Sequence, residues 1–128
     1  PPDFDGNRPS GNNLIDLFAY LIRKYGRMDT SEYARIMQLK TSELRGAILA
    51  IGGMSAMEWR NRYLLLEAQE LMERTDMSIT AIAAKLGFSQ PSVFSKFFRT
   101  LTKSQPWEWR VEKKKPGSNR KRTYHCYE

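Results

Sequence analysis

Gln90, Ser92, Ser95, Lys96 and Arg99 set an amide, two hydroxyls and two cations on one short stretch, with Phe94, Phe97 and Phe98 interleaved among them. Such a set makes and breaks no covalent bonds. It donates and accepts hydrogen bonds and neutralises negative charge, which suits contact with a polyanion. The phenylalanine spacing predicts a helix with one apolar side and one small-polar, basic side. Upstream, Ser78 is predicted to cap a first helix in which Ile79, Ile82, Ala83 and Leu86 share a face. Gly87 is expected to end that helix in the left-handed conformation, which costs glycine nothing. Ser89 is expected to cap the second helix, with Pro91 in its first turn, where a missing N–H is no loss. Two short helices around a glycine turn read as a helix-turn-helix, and equally as an ordinary helical hairpin.

Other chemistries fail for want of residues. His125 and Cys126 are the only histidine and cysteine among 128 residues, and both fall in the polar C-terminal stretch. A nucleophile therefore lacks a base, and a metal site lacks its remaining ligands. Aspartates and glutamates are scattered without pairing, and no glycine-rich phosphate loop follows a strand. No enzyme and no cofactor are expected. A net charge of +7 and a pI near 9.7 favour a polyanionic partner. Residues 112–128 are expected to be a solvated tail, whose clusters Lys113-Lys114-Lys115 and Arg120-Lys121-Arg122 would hold phosphates without reading sequence. The lone cysteine suits a reducing cytosol, the proline-led start is no signal peptide, and no apolar run nears the ~20 residues of a membrane span.

The elements that must position the basic face are all predicted to be helical. Residues 1–12 read as a flexible leader, after which Asn12 or Asn13 caps a helix from about Leu14 to Tyr25, stopped by Gly26. Its stripe of Leu14, Leu17, Phe18, Leu21, Ile22 and Tyr25 is core packing. Thr30 or Ser31 opens the next helix, which carries Tyr33, Ala34, Ile36 and Met37. Beyond a turn at Gln38-Leu39-Lys40, Thr41 or Ser42 caps another, through Leu44, Ala47, Ile48 and Ile51 to Gly52-Gly53. This pair repeats the later one at about 49 residues, with one extra residue in the second turn and Gln38 in the place of Gly87. Ser55 and Glu58 form a capping box for the longest helix, which runs to about Thr75 and spans about 30 Å. Pro106 to Arg110 reads as a further short helix with its aromatics folded inward. Phe88, Trp59, Trp107 and Trp109 are likewise assigned to the core rather than to stacking on bases. The expected protein is all-α: a first helix-turn-helix subdomain over 13–54, a linker helix over 55–75, and a second subdomain over 76–111.

These residues resemble the DNA-binding domain of the AraC/XylS family of bacterial transcription regulators. The likeness is strongest in TDMSITAIAAKLGFSQPSVFSKFFR, from Thr75 to Arg99, with Pro106 and Trp109-Arg110 where that family has P-x-x-Y-R. Gly53-x-Ser55-x-x-x-Trp59 and the Ala34 to Ile48 stretch extend it, to cover about Ser31 to Arg110. The resemblance implies seven helices in two helix-turn-helix subdomains. It also implies sequence-specific binding to promoter DNA, usually activating transcription through RNA polymerase, in the cytoplasm at the bacterial nucleoid. Its base-facing positions fall on Gln90, Pro91, Ser92, Ser95 and Lys96 in the second copy and on Ser42, Arg45 and Gly46 in the first, with Thr41 a further DNA-binding candidate beside them. Arg45 suits guanine O6 and N7, Gln90 suits adenine or a phosphate, and Ser92 and Ser95 permit close approach. Lys96 is the best base contact, and Arg99 and Lys103 are phosphate clamps.

The chain departs from the pattern at several places. Pro91 and Gly46 give each reading helix one position without a hydrogen-bonding side chain. Lys40 stands where a serine usually caps, Leu64 where an arginine is usual, and Thr102-Lys103 where a Phe-Gly pair closes the last turn. The chain has no room for the ligand-sensing domain of many relatives, so it is expected to be either a single-domain member or a piece of a longer regulator, with no small-molecule ligand in this stretch. The runner-up is a helical protein-interaction module with nonspecific nucleic-acid affinity from its basic tail.

Overall fold

A computed structural model describes residues 11–114, and its regular structure is entirely helical. Seven helices follow in order: α1 (Gly11–Tyr25), α2 (Thr30–Ile36), α3 (Thr41–Gly52), α4 (Ala56–Arg74), α5 (Ile79–Lys85), α6 (Pro91–Thr102) and α7 (Pro106–Lys114). The chain divides into two compact units between Leu64 and Leu65, inside α4.

In the first unit α3 packs on both α1 and α2. The core comprises Leu17, Phe18, Leu21 and Ile22 of α1, Tyr33 and Ala34 of α2, Leu44 and Ile48 of α3, and Leu64 of α4. Phe18 meets Tyr33 edge-on at 5.3 Å and Trp59 at 5.4 Å, and Trp59 stacks on Tyr63 at 5.7 Å. Gly52 sits close under Trp59 where α3 ends, and a Cβ there would lie a tight 3.2 Å from the Trp59 ring. Leu64, which stands where the family pattern has an arginine, is fully buried, a place where an unpaired charge would be costly.

In the second unit α6 packs on α5 and α7. Ile82, Ala83, Leu86, Phe88, Phe94, Phe98 and Trp109 are buried, with Leu65, Ala68 and Met72 from α4. Phe94 meets Phe88 at 5.2 Å, and Phe98 meets Trp109 at 6.0 Å. Aromatic pairs at these separations add to the plain burial of their area.

The two turns are built alike from different residues. After α5, Leu86 donates to Ile82 O, Gly87 to Ala84 O and Phe88 to Ala83 O, with Gly87 at φ 86. After α2, Met37 donates to Tyr33 O, Gln38 to Arg35 O and Leu39 to Ala34 O, with Gln38 at φ 61. Both are glycine-type helix ends that satisfy the last free carbonyls.

A second pair of features repeats as well. The triplet Glu58-Trp59-Arg60 recurs as Glu108-Trp109-Arg110. Arg60, 7% exposed, donates from Nη1 to Met28 O at 2.8 Å. Arg110 donates to Met72 O (3.0 Å), Met77 O (2.5 Å) and Thr75 O (2.8 Å). Each arginine thus ties down the backbone just ahead of its own helix-turn-helix.

Several caps differ from expectation. α1 begins by Gly11, so Asn12 and Asn13 lie inside the helix. Proline fixes α6 to start at Pro91, so Gln90 rather than Ser89 is the N-cap, held extended at φ −147 and ψ 150 by the ring that follows. Lys40 rather than Thr41 or Ser42 is the N-cap of α3, and its N–H donates to Glu43 Oε1 at 2.8 Å. A lysine side chain has no acceptor, so Glu43 makes that half of the cap alone. Ser78 does cap α5, accepting from Ala81 N at 3.0 Å.

The apolar assignments differ at the edges. Tyr25, Ile51 and Trp107 are exposed, Trp107 by 62%, while Trp109 alone of the α7 tryptophans is buried. α7 runs through Lys114, so the first tail residues are helical: Lys113 pairs with Glu73 at 3.8 Å and Lys114 with Asp76 at 3.5 Å. The rest of the predicted tail, with His125 and Cys126, and most of the predicted leader lie outside the described residues.

Candidate nucleic-acid interface

α6 carries its polar residues on one exposed stripe. Ser92, Lys96, Arg99 and Lys103 follow at steps that keep them on one side of the helix, with half-buried Ser95 beside them. Phe94, Phe98 and Thr102 hold the opposite side in the core. The Lys96 and Arg99 side chains have no hydrogen-bond or ion-pair partner among the described residues. Their charges therefore face outward uncompensated. Gln90 and Pro91 stand exposed at the head of the helix, and Gln90 Oε1 accepts from Ser92 Oγ at a long 3.4 Å.

Lys103 sits apart from the head of the helix. It is the C-cap, at φ 67, about 18 Å along the axis from Pro91, and its Nζ donates to Thr100 O at 3.4 Å. A lysine in the left-handed region bears a Cβ strain that glycine would not. Buried Thr102 braces this end, its hydroxyl donating to Phe98 O at 2.9 Å.

α3 presents the matching stripe with different chemistry. Ser42, Arg45, Gly46 and Leu49 lie exposed along it, and Thr41 is half-buried at the helix start. The Arg45 guanidinium has no partner among the described residues. A Cβ added at Gly46 would meet nothing within 4 Å, so no neighbour in the fold demands glycine there. Leu49 is 58% exposed, and with Arg45, Met57, Ala56, Ser55 and Thr30 it lines a cleft of about 320 Å³. Leu49 was not among the sequence candidates. The signal was present, for it lies on the stripe of Ser42, Arg45 and Gly46 and matches Arg99 in the repeat.

The titratable groups displaced from their ordinary values lie inside the fold. Burial pushes the Tyr33 hydroxyl up, and burial together with Arg27 pushes the Arg60 guanidinium down. Tyr33 accepts from Met28 N at 3.0 Å and donates to Gly26 O, fixing the loop that leads into α2.

Two helix-turn-helices, each with an outward polar stripe on its second helix, make the arrangement of a nucleic-acid-binding domain. The helix-turn-helix domain model of the AraC/XylS type matches residues 33–112, and the chain belongs to that family of DNA-binding transcription regulators. The regulatory protein PocR of Salmonella typhimurium is 41% identical over 60 residues, which is 47% of this chain and 20% of PocR. The chain therefore spans a fifth of that relative's length. Among solved structures, the C-terminal domain of AraT, a response regulator from Geobacillus stearothermophilus, superposes with a TM-score of 0.72 at 19% identity, over 94% of this chain and 99% of that one. The AdpA DNA-binding domain, crystallised with a target DNA, gives 0.68 at 22% identity over 77% and 89%. An AraC-type regulator from Chromobacterium violaceum gives 0.68 at 23% identity over 83% and 93%. At these identities the three structures speak for the shared fold.

Proposed function

We propose that this domain binds double-stranded promoter DNA by placing α6 and α3 in adjacent major grooves, and so regulates transcription. The observation that carries the reading is the α6 stripe: Ser92, Lys96 and Arg99 aligned and exposed, with both cations unpartnered among the described residues. Ser92, Ser95 and Lys96, with Gln90 and Pro91 at the helix head, meet base edges, while Arg99 and Lys103 meet phosphates. In the first copy Thr41, Ser42, Arg45 and Gly46 take the corresponding places, and Arg45 reads guanine.

The nineteen residues of α4 span about 28 Å. That length is comparable with the ~34 Å between successive major grooves, which supports α4 as the linker between two reading heads. Activation through contact with RNA polymerase and residence at the nucleoid complete the proposed role. No helix among the described residues is long and apolar enough to cross a membrane.

The test is binding to a selected duplex against a scrambled one at fixed salt. A ratio of about 10³ or more is expected. A ratio near one leaves only nonspecific affinity and sinks the reading.

A further inference from the structure

Leu49 follows Ser42, Arg45 and Gly46 along the outward stripe of α3 and is 58% exposed. The corresponding place in the second copy holds Arg99, a cation suited to phosphate. A leucine can neither donate to a phosphate nor pair with a base edge. Of the groups that the four bases present in the major groove, the thymine 5-methyl is the apolar one. Gly46, three residues before Leu49, removes the side chain that would hold the helix off the groove. Nothing within 4 Å inside the fold would oppose a Cβ there, and a mid-helix glycine lowers stability relative to alanine. The apolar surface runs from Leu49 to Met57, also 58% exposed, across a cleft that Arg45 shares. Continuity with the reading face makes the duplex its occupant.

We propose that Leu49 is a specificity-determining residue that packs on the 5-methyl of a thymine, with Gly46 providing the clearance for close approach. The proposal rests on the DNA-binding reading above. Arg45 and Leu49 are four residues apart, about 6 Å along the helix, against about 3.4 Å per base pair. The thymine therefore lies one or two base pairs from the guanine read by Arg45.

The experiment starts from a duplex that this chain selects out of random-sequence DNA. Each thymine is replaced in turn by deoxyuridine, which removes the methyl and leaves every hydrogen-bonding group in place. Binding of the wild type and of Leu49→Ala is then measured at fixed salt. One demethylation is expected to weaken the wild type about fourfold, the worth of one buried methyl, and to leave Leu49→Ala indifferent. Leu49→Lys should lose the methyl discrimination and steepen the salt dependence by about one unit.

Gly46→Ala should raise Tm by a few degrees while weakening specific binding roughly tenfold, because the added methyl meets the groove. A glycine kept for the fold would lower Tm on the same change. The proposal is overturned if demethylation costs Leu49→Ala as much as the wild type at every thymine. Lys96→Ala separates the two possible failures. If that change still weakens specific binding while sparing nonspecific binding, the DNA reading stands and the role of Leu49 falls. If the chain selects no duplex at all, both fall.

Discussion

The first helix-turn-helix, α2 and α3, and the second, α5 and α6, share an interior and differ on their exteriors. Gly87 takes φ 86 at no steric cost, whereas Gln38 takes φ 61 in a region that costs a residue with a Cβ about 1–2 kcal/mol. Both turns nevertheless close with the same three backbone hydrogen bonds. Packing on either side holds the first turn: Tyr33, Ala34 and Met37 are buried before it, and Leu44 and Ile48 after it. The second carries Ile82, Ala83, Leu86, Phe94 and Phe98 in the same places. The outer stripes do not match. Ser92, Ser95, Lys96 and Arg99 face out from α6, and Ser42, Arg45, Gly46 and Leu49 from α3. A repeated interior reproduces the fold, while the exteriors carry unlike side chains, which under the proposed function would suit the two heads to unlike stretches of DNA.

The largest effect that could break this comparison lies in the two arginines. Arg110→Ala removes three hydrogen bonds to carbonyls, of which Thr75 O keeps the Lys114 Nζ donor, and should cost about 3 kcal/mol, while Arg60→Ala removes one and should cost about 1–2 kcal/mol. Urea unfolding measures both, and equal losses would mean that the carbonyl count does not set the difference. Next come the reading faces. Lys96→Ala should weaken specific binding by about 1–3 kcal/mol with little change in nonspecific binding. Arg99→Ala should weaken both alike and flatten the salt slope by about one unit. Titrations with matched and scrambled duplexes separate the two, and identical behaviour would undo the division into base and phosphate contacts.

Smaller effects sharpen the turn comparison. Gln38→Gly should stabilise by about 0.5–1 kcal/mol, whereas Gly87→Ala should destabilise by about 1–2 kcal/mol, both read from Tm and urea midpoints. Stabilisation in both would show that the turns are not equivalent. The smallest effect is alkaline. Burial favours the neutral Tyr33 phenol, so its folded pKa lies above the unfolded value and the unfolded chain ionises first as pH rises. Its contribution is complete below about pH 10 and lost as pH climbs through the raised folded value. Ile82, the residue matching Tyr33, cannot titrate. Loosening above pH 10 should therefore begin in the first unit, and Tyr33→Phe should flatten that limb in Trp59 fluorescence.

The helices and the repeat were legible because they rest on local spacing. Ile82, Ala83 and Leu86 share a face whatever surrounds them, and Ser78 accepts from its own helix at Ala81. Helix starts were less legible where two polar residues competed. The sequence offered Ser89, but Pro91 fixes the first helical position and makes Gln90 the cap. Lys40 was placed at the cap position only by the family resemblance, because its cap is made by its backbone N–H and the Glu43 carboxylate, with no part played by its own side chain. The outward stripe of α6 could be listed in advance from its polarity, and the candidate positions on α3 only through the family resemblance. Leu49 was missed, since an apolar residue on an amphipathic helix is assigned inward unless its angular position and its match to Arg99 in the repeat are weighed.

The sequence alone determined an all-helical chain, two copies of one motif, and the basic stripe of α6, because periodicity, caps and charge act within a few residues. Tertiary structure decided the left-handed Gln38 and Lys103, the tethering of distant carbonyls by Arg60 and Arg110, and the exposure of Leu49 and Trp107. Each of these depends on which surfaces meet across many residues of chain. Burial and long-range hydrogen bonds then override what the local residues prefer.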